Sequence, residues 1–83
     1  MSLAAANIIG LIGSALMVIG YAYSNLAERL NFAFFNLLNL VGSLLLIASL
    51  SVAFNLASMT LEIVWALIAL GGLVKALAAR KPA

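Results

Sequence analysis

Two long segments without a charged side chain constrain this fold more than any other feature. Residues 1–27 contain no Asp, Glu, Lys or Arg, and neither do residues 30–61. A helix needs about 20 apolar residues to cross the roughly 30 Å hydrocarbon core of a bilayer. Only 7% of the chain is charged, whereas about a quarter is typical of soluble domains. The sequence therefore predicts an integral membrane protein.

The polar breaks divide the chain into three predicted spans, at residues 3–23, 32–50 and 58–77. The first break is SNLAERLN, and the second is SVAFNLAS, where Asn55 and Ser58 are candidate N-caps for the third helix. Pro82 cannot continue a helix interior. The N-terminus lacks the basic segment of a signal peptide, so we interpret the first run as a retained span. The predicted fold is an all-α integral membrane protein, a single domain over residues 1–83 that forms a three-transmembrane-helix bundle.

The basic residues predict the orientation of these spans. Three spans place the first loop and the C-terminus on one side, and that side carries all four basic residues: Arg29, Lys75, Arg80 and Lys81. By the positive-inside rule this side is cytoplasmic, with the N-terminus and the second loop outside. Tyr21 and Tyr23 then lie at the cytoplasmic interface, where aromatic belts occur.

The second span carries Asn36, Asn39 and Ser43 at spacings of three and four, which places them on one helix face. An amide in hydrocarbon needs a hydrogen-bond partner. These side chains either line a pocket for a polar solute or form a polar clasp that joins helices, and the clasp is the favoured interpretation.

Glu62 is a carboxylate within the third span, and an ionisable residue inside a span suggests function. Counted from the span midpoint, Glu62 lies about 8 Å and Asn7 about 9 Å toward the outside, while Trp65 is level with Ser43. We expect Glu62 to favour the positive helix N-terminus or to bond Asn7, pinning the third helix to the first. The alternative is a proton- or solute-coupled role, with Trp65 as a packing residue or a wall of the solute contact.

Small residues recur at spacings that allow helix backbones to approach closely. They predict close packing but identify no partner: Gly10, Gly13, Ser14 and Gly20 in the first span, Gly42 in the second, and Gly72 and Ala76 in the third.

Several functional classes are excluded by composition. The chain has no cysteine and no histidine, so a disulfide and the usual ligands of transition metals are missing. No catalytic set, phosphate loop or basic patch for nucleic acid is present. We therefore expect no enzyme activity, no cofactor, no metal and no nucleic-acid partner.

Three segments resemble a family of small three-span proteins of the bacterial inner membrane: GLIGSALMVIGYAY, FFNLLNLVGSLLLIASL and FNLASMTLEIVWALIALGGL. In hydropathy and orientation that family is similar to SemiSWEET half-transporters of the PQ-loop superfamily, which are three-helix bundles that work as parallel homodimers. The resemblance implies a multi-pass protein of the bacterial cytoplasmic membrane. The chain departs from SemiSWEET in lacking the Pro-Gln pair, an intramembrane proline hinge and the third-helix asparagine of a sugar pocket.

Two functions follow as hypotheses. The first is a non-catalytic accessory subunit that packs against the transmembrane helices of a larger assembly, such as a respiratory or photosynthetic complex. The second is a SemiSWEET-like homodimeric carrier for a small polar solute. Its pathway would be lined by Asn36, Asn39, Ser43 and Trp65, with Glu62 near the outer gate. In either case the partners are membrane lipid and other transmembrane helices, from a larger complex or from a second copy.

Overall fold

The computed structural model describes residues 1–79, and all regular structure in that part of the chain is α-helical. The helices are α1 (Leu3–Leu26), α2 (Phe32–Leu50) and α3 (Leu56–Ala79). Each is long and apolar enough to cross a membrane. At 1.5 Å rise per residue they are about 36, 28 and 36 Å long. The predicted all-α class with three membrane-length helices is confirmed, while the predicted roles of Arg80, Lys81 and Pro82 lie outside the described residues.

Each helix begins at a polar cap. The Ser2 hydroxyl accepts a hydrogen bond from the Ala5 N–H, and the Asn31 side chain accepts one from the Phe34 N–H. Asn55 caps α3, because its Oδ1 accepts from the Ser58 N–H at 2.9 Å. These side chains satisfy amide groups that a helix start otherwise leaves without partners. Of the two predicted caps of α3, Asn55 is correct, and Ser58 lies inside the first turn.

The connection between α1 and α2, residues 27–31, is held by Tyr23. Its phenolic oxygen accepts a hydrogen bond from the Asn31 N–H at 2.8 Å. Its ring also meets that of Phe34 edge-on, with centroids 5.2 Å apart. We call this connection the first loop and residues 51–55 the second loop. Both are short, so consecutive helices pack as antiparallel neighbours.

Helix α2 lies between the other two helices. It packs against α1 and against α3, whereas no Cα atom of α1 comes within 8 Å of a Cα atom of α3. The arrangement is therefore a row of three rather than a closed triangle. The outer helices each keep a broad face that no other described residue covers.

The interior of the bundle is made of small residues. Among residues 1–79 the buried apolar side chains are all alanines, namely Ala6, Ala33, Ala66 and Ala69. Large apolar side chains lie outside instead, and Leu11, Val18 and Ile68 are each about two-thirds exposed. A soluble monomer rarely carries an apolar surface of this extent. Hydrocarbon is the solvent that such a surface suits.

Candidate functional site

The closest approach of two helices occurs where Gly13 of α1 meets Gly42 of α2. A Cβ atom added to Gly13 would lie 2.7 Å from the Gly42 carbonyl oxygen, and one added to Gly42 would lie 2.8 Å from the Gly13 carbonyl oxygen. The two backbones are thus in direct contact. Only glycine permits this separation, so the predicted packing role of both residues has a specific cause in the structure.

The rest of the α1 contact surface follows a repeat of four and three residues. Ala6, Gly10, Gly13 and Gly20 are buried, and a Cβ added to Gly10 would lie 2.7 Å from the Ser49 hydroxyl. Ser14, predicted to pack with Gly10, is exposed instead. Its hydroxyl donates to the Gly10 carbonyl at 2.9 Å within the same helix. Ser14 therefore does not pack within the bundle, because the buried face turns from Gly10 to Gly13, and its packing against another helix stays a prediction.

Asn39 is the residue at which all three helices meet. Its Nδ2 donates to the Phe35 carbonyl at 2.9 Å, and its Oδ1 accepts from the Trp65 indole N–H at 3.1 Å. The same amide nitrogen packs against α1, because a Cβ added to Gly20 would lie 3.3 Å from it. The amide is only 6% exposed. Asn39 therefore clasps α3 to α2 while its side chain fills a gap left by a glycine of α1.

The hydrogen-bond partner of Trp65 is Asn39, to which its indole nitrogen donates. The height of Trp65 along its helix instead matched that of Ser43. Heights counted along the helices placed Asn39 and Trp65 about 7 Å apart. That count ignores the length of the indole side chain. Including this length would have shown that Trp65 can reach Asn39.

Asn36 occupies the next position toward the first loop. Its Nδ2 donates to the Phe32 carbonyl at 2.8 Å. Its amide also lies against α3, because a Cβ added to Gly72 would lie 2.6 Å from Oδ1. Gly72 thus packs as predicted from its size. Ala76, one turn further along α3, is half-buried and lines a cavity.

Ser43 and Glu62 form the remaining polar contact between α2 and α3. Ser43 is completely buried, and the Glu62 carboxyl group is close enough to interact with its hydroxyl. The geometry is not that of a formed hydrogen bond. Ser43 Oγ and Glu62 Oε1 are both buried and both lack a hydrogen-bond partner.

The predicted pairing of Glu62 with Asn7 does not form. Asn7 is exposed on α1, a helix that does not reach α3. Glu62 is also further from the helix start than predicted, because α3 begins at Leu56 and has no acidic residue in its first turn. It lies about 9 Å along the helix. The stabilisation of an anion by the helix N-terminus fades beyond the first turn, so it cannot account for this carboxyl group.

Two cavities border these polar contacts. A groove of about 520 Å³ lies between α1 and α3, with Asn39 and Trp65 among its lining residues and Met17, Val18 and Tyr21 along its α1 side. A second cavity, of about 470 Å³, lies between the start of α2 and the end of α3. Its lining includes Asn36, Gly72, Lys75 and Ala76. Within residues 1–79 no three His, Cys, Asp or Glu side chains come together to hold a metal ion.

The chain belongs to an uncharacterised protein family, whose model matches residues 6–81. The match covers almost all of α1 and the whole of α2 and α3. No curated protein and no solved structure matches the chain. Family membership therefore applies to nearly the whole bundle and names no activity.

Proposed function

We propose that this family member is a multi-pass protein of the bacterial inner membrane that acts without catalysis, as an accessory subunit packed against the helices of a larger complex. Its N-terminus and second loop face outward, and the first loop and C-terminus face the cytoplasm. The observation that supports the proposal is that the amide side chains of Asn36 and Asn39 in α2 form hydrogen bonds within the protein. Asn36 and Asn39 donate to their own helix, and Asn39 also accepts from Trp65.

A pathway for a polar solute needs polar groups that are free to exchange partners. At Asn39 a solute would have to replace the Trp65 N–H, and at Asn36 it would have to displace the close contact with Gly72. A clasp, by contrast, needs these bonds to persist. Hydrogen bonds of this kind between membrane helices contribute about 0.6–2 kcal/mol each.

The outer faces of α1 and α3 offer the surface for the larger partner. Both are apolar and uncovered, and Gly71 of α3 has nothing within 4 Å of the place where its Cβ would be. The two loops described are five residues each, too short to form a domain outside the bilayer. The chain can thus act by packing, and lipid or another helix must cover these faces.

Gentle solubilisation of native membranes followed by mass spectrometry of intact complexes tests the proposal. We expect the protein in a complex larger than a homodimer. The Val18→Trp variant, changed in the open groove, should be lost from that complex. Leu11→Trp changes a position that is equally exposed on α1 but does not line the groove, so it distinguishes the groove from the rest of the apolar face. Recovery of the wild type only as a free homodimer would refute the proposal.

The orientation is tested separately with single-cysteine variants, which is direct because the chain has no cysteine. A membrane-impermeant maleimide added to intact cells should label Ala53→Cys in the second loop and leave Ala27→Cys in the first loop unlabelled. The opposite pattern would reverse the proposed topology.

One observation favours the carrier as a second candidate. The groove between α1 and α3 is open on one side and has the Asn39–Trp65 pair in its lining, so a second copy could close it around a small solute. Uptake by proteoliposomes that contain only this protein tests this function. Uptake should fall in Asn39→Leu and Glu62→Gln and persist in Gly71→Ala. No uptake, or equal uptake in all variants, would eliminate the carrier.

A further inference from the structure

Among the hydroxyl groups of the described helices, that of Ser43 is the one that is buried without a hydrogen-bond partner. Ser14 and Thr60 each donate to the carbonyl oxygen four residues earlier, both at 2.9 Å. That bond is the usual way for a helical hydroxyl to satisfy itself. Ser43 does not make it, although it is completely buried, and its hydroxyl lies beside Glu62 instead.

An ionised Glu62 would have almost no compensation at this position. A carboxylate has about four lone-pair sites, and Ser43 could donate to one of them. Helix α2, which packs against α3, has no titratable side chain, and α1 does not pack against α3. The other charged residue described in α3 is Lys75, about 20 Å further along the helix. A bare carboxylate in hydrocarbon is costly.

A single proton removes this difficulty. A neutral carboxylic acid has one O–H donor, and the Ser43 hydroxyl oxygen is an acceptor without a donor. A bond from the protonated Glu62 to Ser43 Oγ would satisfy the acid and the hydroxyl oxygen together. No additional residue has to move into the interface.

We propose that Glu62 and Ser43 form a proton-binding site between α2 and α3, in which Glu62 is held as the neutral acid and donates its proton to Ser43 Oγ. The site rests on the proposed membrane insertion but not on either proposed function. The Asn39–Trp65 hydrogen bond lies about one helical turn away, so the proton on Glu62 adds a second polar contact between α2 and α3. Loss of this proton would leave a negative charge on Glu62 in the interface.

A hydrophobic carbodiimide provides the test, because it enters the bilayer and reacts with protonated carboxyl groups. The acid proton moves to a carbodiimide nitrogen and the carboxyl oxygen bonds to the central carbon. An acyl shift to nitrogen then gives a stable N-acylurea, so the modified residue carries the whole mass of the reagent. Mass spectrometry after proteolysis locates the adduct.

The chain supplies its own control, because its other carboxyl side chain, Glu28, is exposed in the first loop. In proteoliposomes at neutral pH we expect strong labelling of Glu62 and little of Glu28. Labelling of Glu62 should disappear as the pH is raised. Ser43→Ala should be labelled several-fold less than the wild type, and Ser43→Thr, which keeps the hydroxyl, should recover the labelling.

Fluorescence of Trp65, the single tryptophan, verifies that each variant keeps the α2–α3 interface. Infrared spectroscopy gives an independent readout. The carbonyl stretch of a protonated carboxyl group should be present at neutral pH, persist in Glu28→Gln and vanish in Glu62→Gln. An absent stretch, or equal labelling of the two glutamates, would overturn the proposal. Protection of Glu62 by sodium ions at constant pH would also overturn it, since that result identifies a metal-cation site.

Discussion

Gly13→Ala perturbs the backbone contact between α1 and α2 with one methyl group. The new Cβ would lie 2.7 Å from the Gly42 carbonyl oxygen, 3.0 Å from Leu45 Cβ and 3.2 Å from the Leu46 nitrogen. Two of these neighbours are backbone atoms, which cannot rotate away. An ordinary contact begins near 3.4 Å, so the helices must separate by up to 0.7 Å, the difference between 3.4 and 2.7 Å.

The energetic cost follows from that separation. A gap of about 0.5–1 Å forfeits a quarter to a half of each dispersion contact along the seam. Overpacking of this kind costs about 1–3 kcal/mol, and the greater helix propensity of alanine recovers about 0.5–1 kcal/mol. We expect the free energy of unfolding to fall by up to about 2.5 kcal/mol.

Gly71→Ala is the matched control, because the same methyl group there meets nothing within 4 Å. We expect it to leave the stability unchanged or to raise it by up to about 1 kcal/mol. Titration with sodium dodecyl sulfate in mixed micelles measures both variants. Energy transfer between dyes on Ala4→Cys and Ala53→Cys follows the separation of α1 from α2, since these positions lie at the same end of the bundle. Equal stabilities of Gly13→Ala and Gly71→Ala would refute the packing argument.

Three further predictions use the same unfolding assay. Trp65→Phe and Asn39→Leu should each cost about 0.6–2 kcal/mol, and the double variant should cost less than their sum, whereas additive losses would show that the two side chains do not interact. Gly72→Ala should cost less than Gly13→Ala, because the amide that it meets can rotate, and an equal cost would contradict that reasoning. Asn55→Ala should cost about 0.5–2 kcal/mol as a lost cap, while Ser58→Ala should be neutral; the reverse order would move the start of α3.

The positions of the helices were predictable because hydropathy is a local property. The bounds predicted for the second span, 32–50, are those of α2. The first helix continues to Leu26, beyond the predicted residue 23, because polar residues counted as a break stay helical. The Ser24 hydroxyl and the Asn25 amide both donate to the Tyr21 carbonyl, at 2.7 and 2.9 Å. Hydrogen bonds from a side chain to its own helix allow a polar residue to remain within the last turn of that helix.

The neighbours of each helix were not predictable in the same way. Height along a span identifies which residues are level, but it contains no information on rotation about the helix axis. Asn7 and Glu62 are level by that measure and still do not meet, because α2 separates α1 from α3. The pairing of Gly13 with Gly42 also depends on the rotation of each helix about its axis. A single sequence does not reveal that rotation.

The central place of α2 explains why its polar residues are distributed as they are. It must contact two helices at once, so it uses Gly42 for the close approach to α1 and amides for α3, with Asn39 reaching both. In hydrocarbon each of these polar groups has to be satisfied inside the protein. The two asparagines meet that requirement with their own helix, and Ser43 does not. Ser43 lies beside the carboxyl group of Glu62, so the proton that we propose on that carboxyl group would supply the hydrogen bond that neither side chain makes within the bundle.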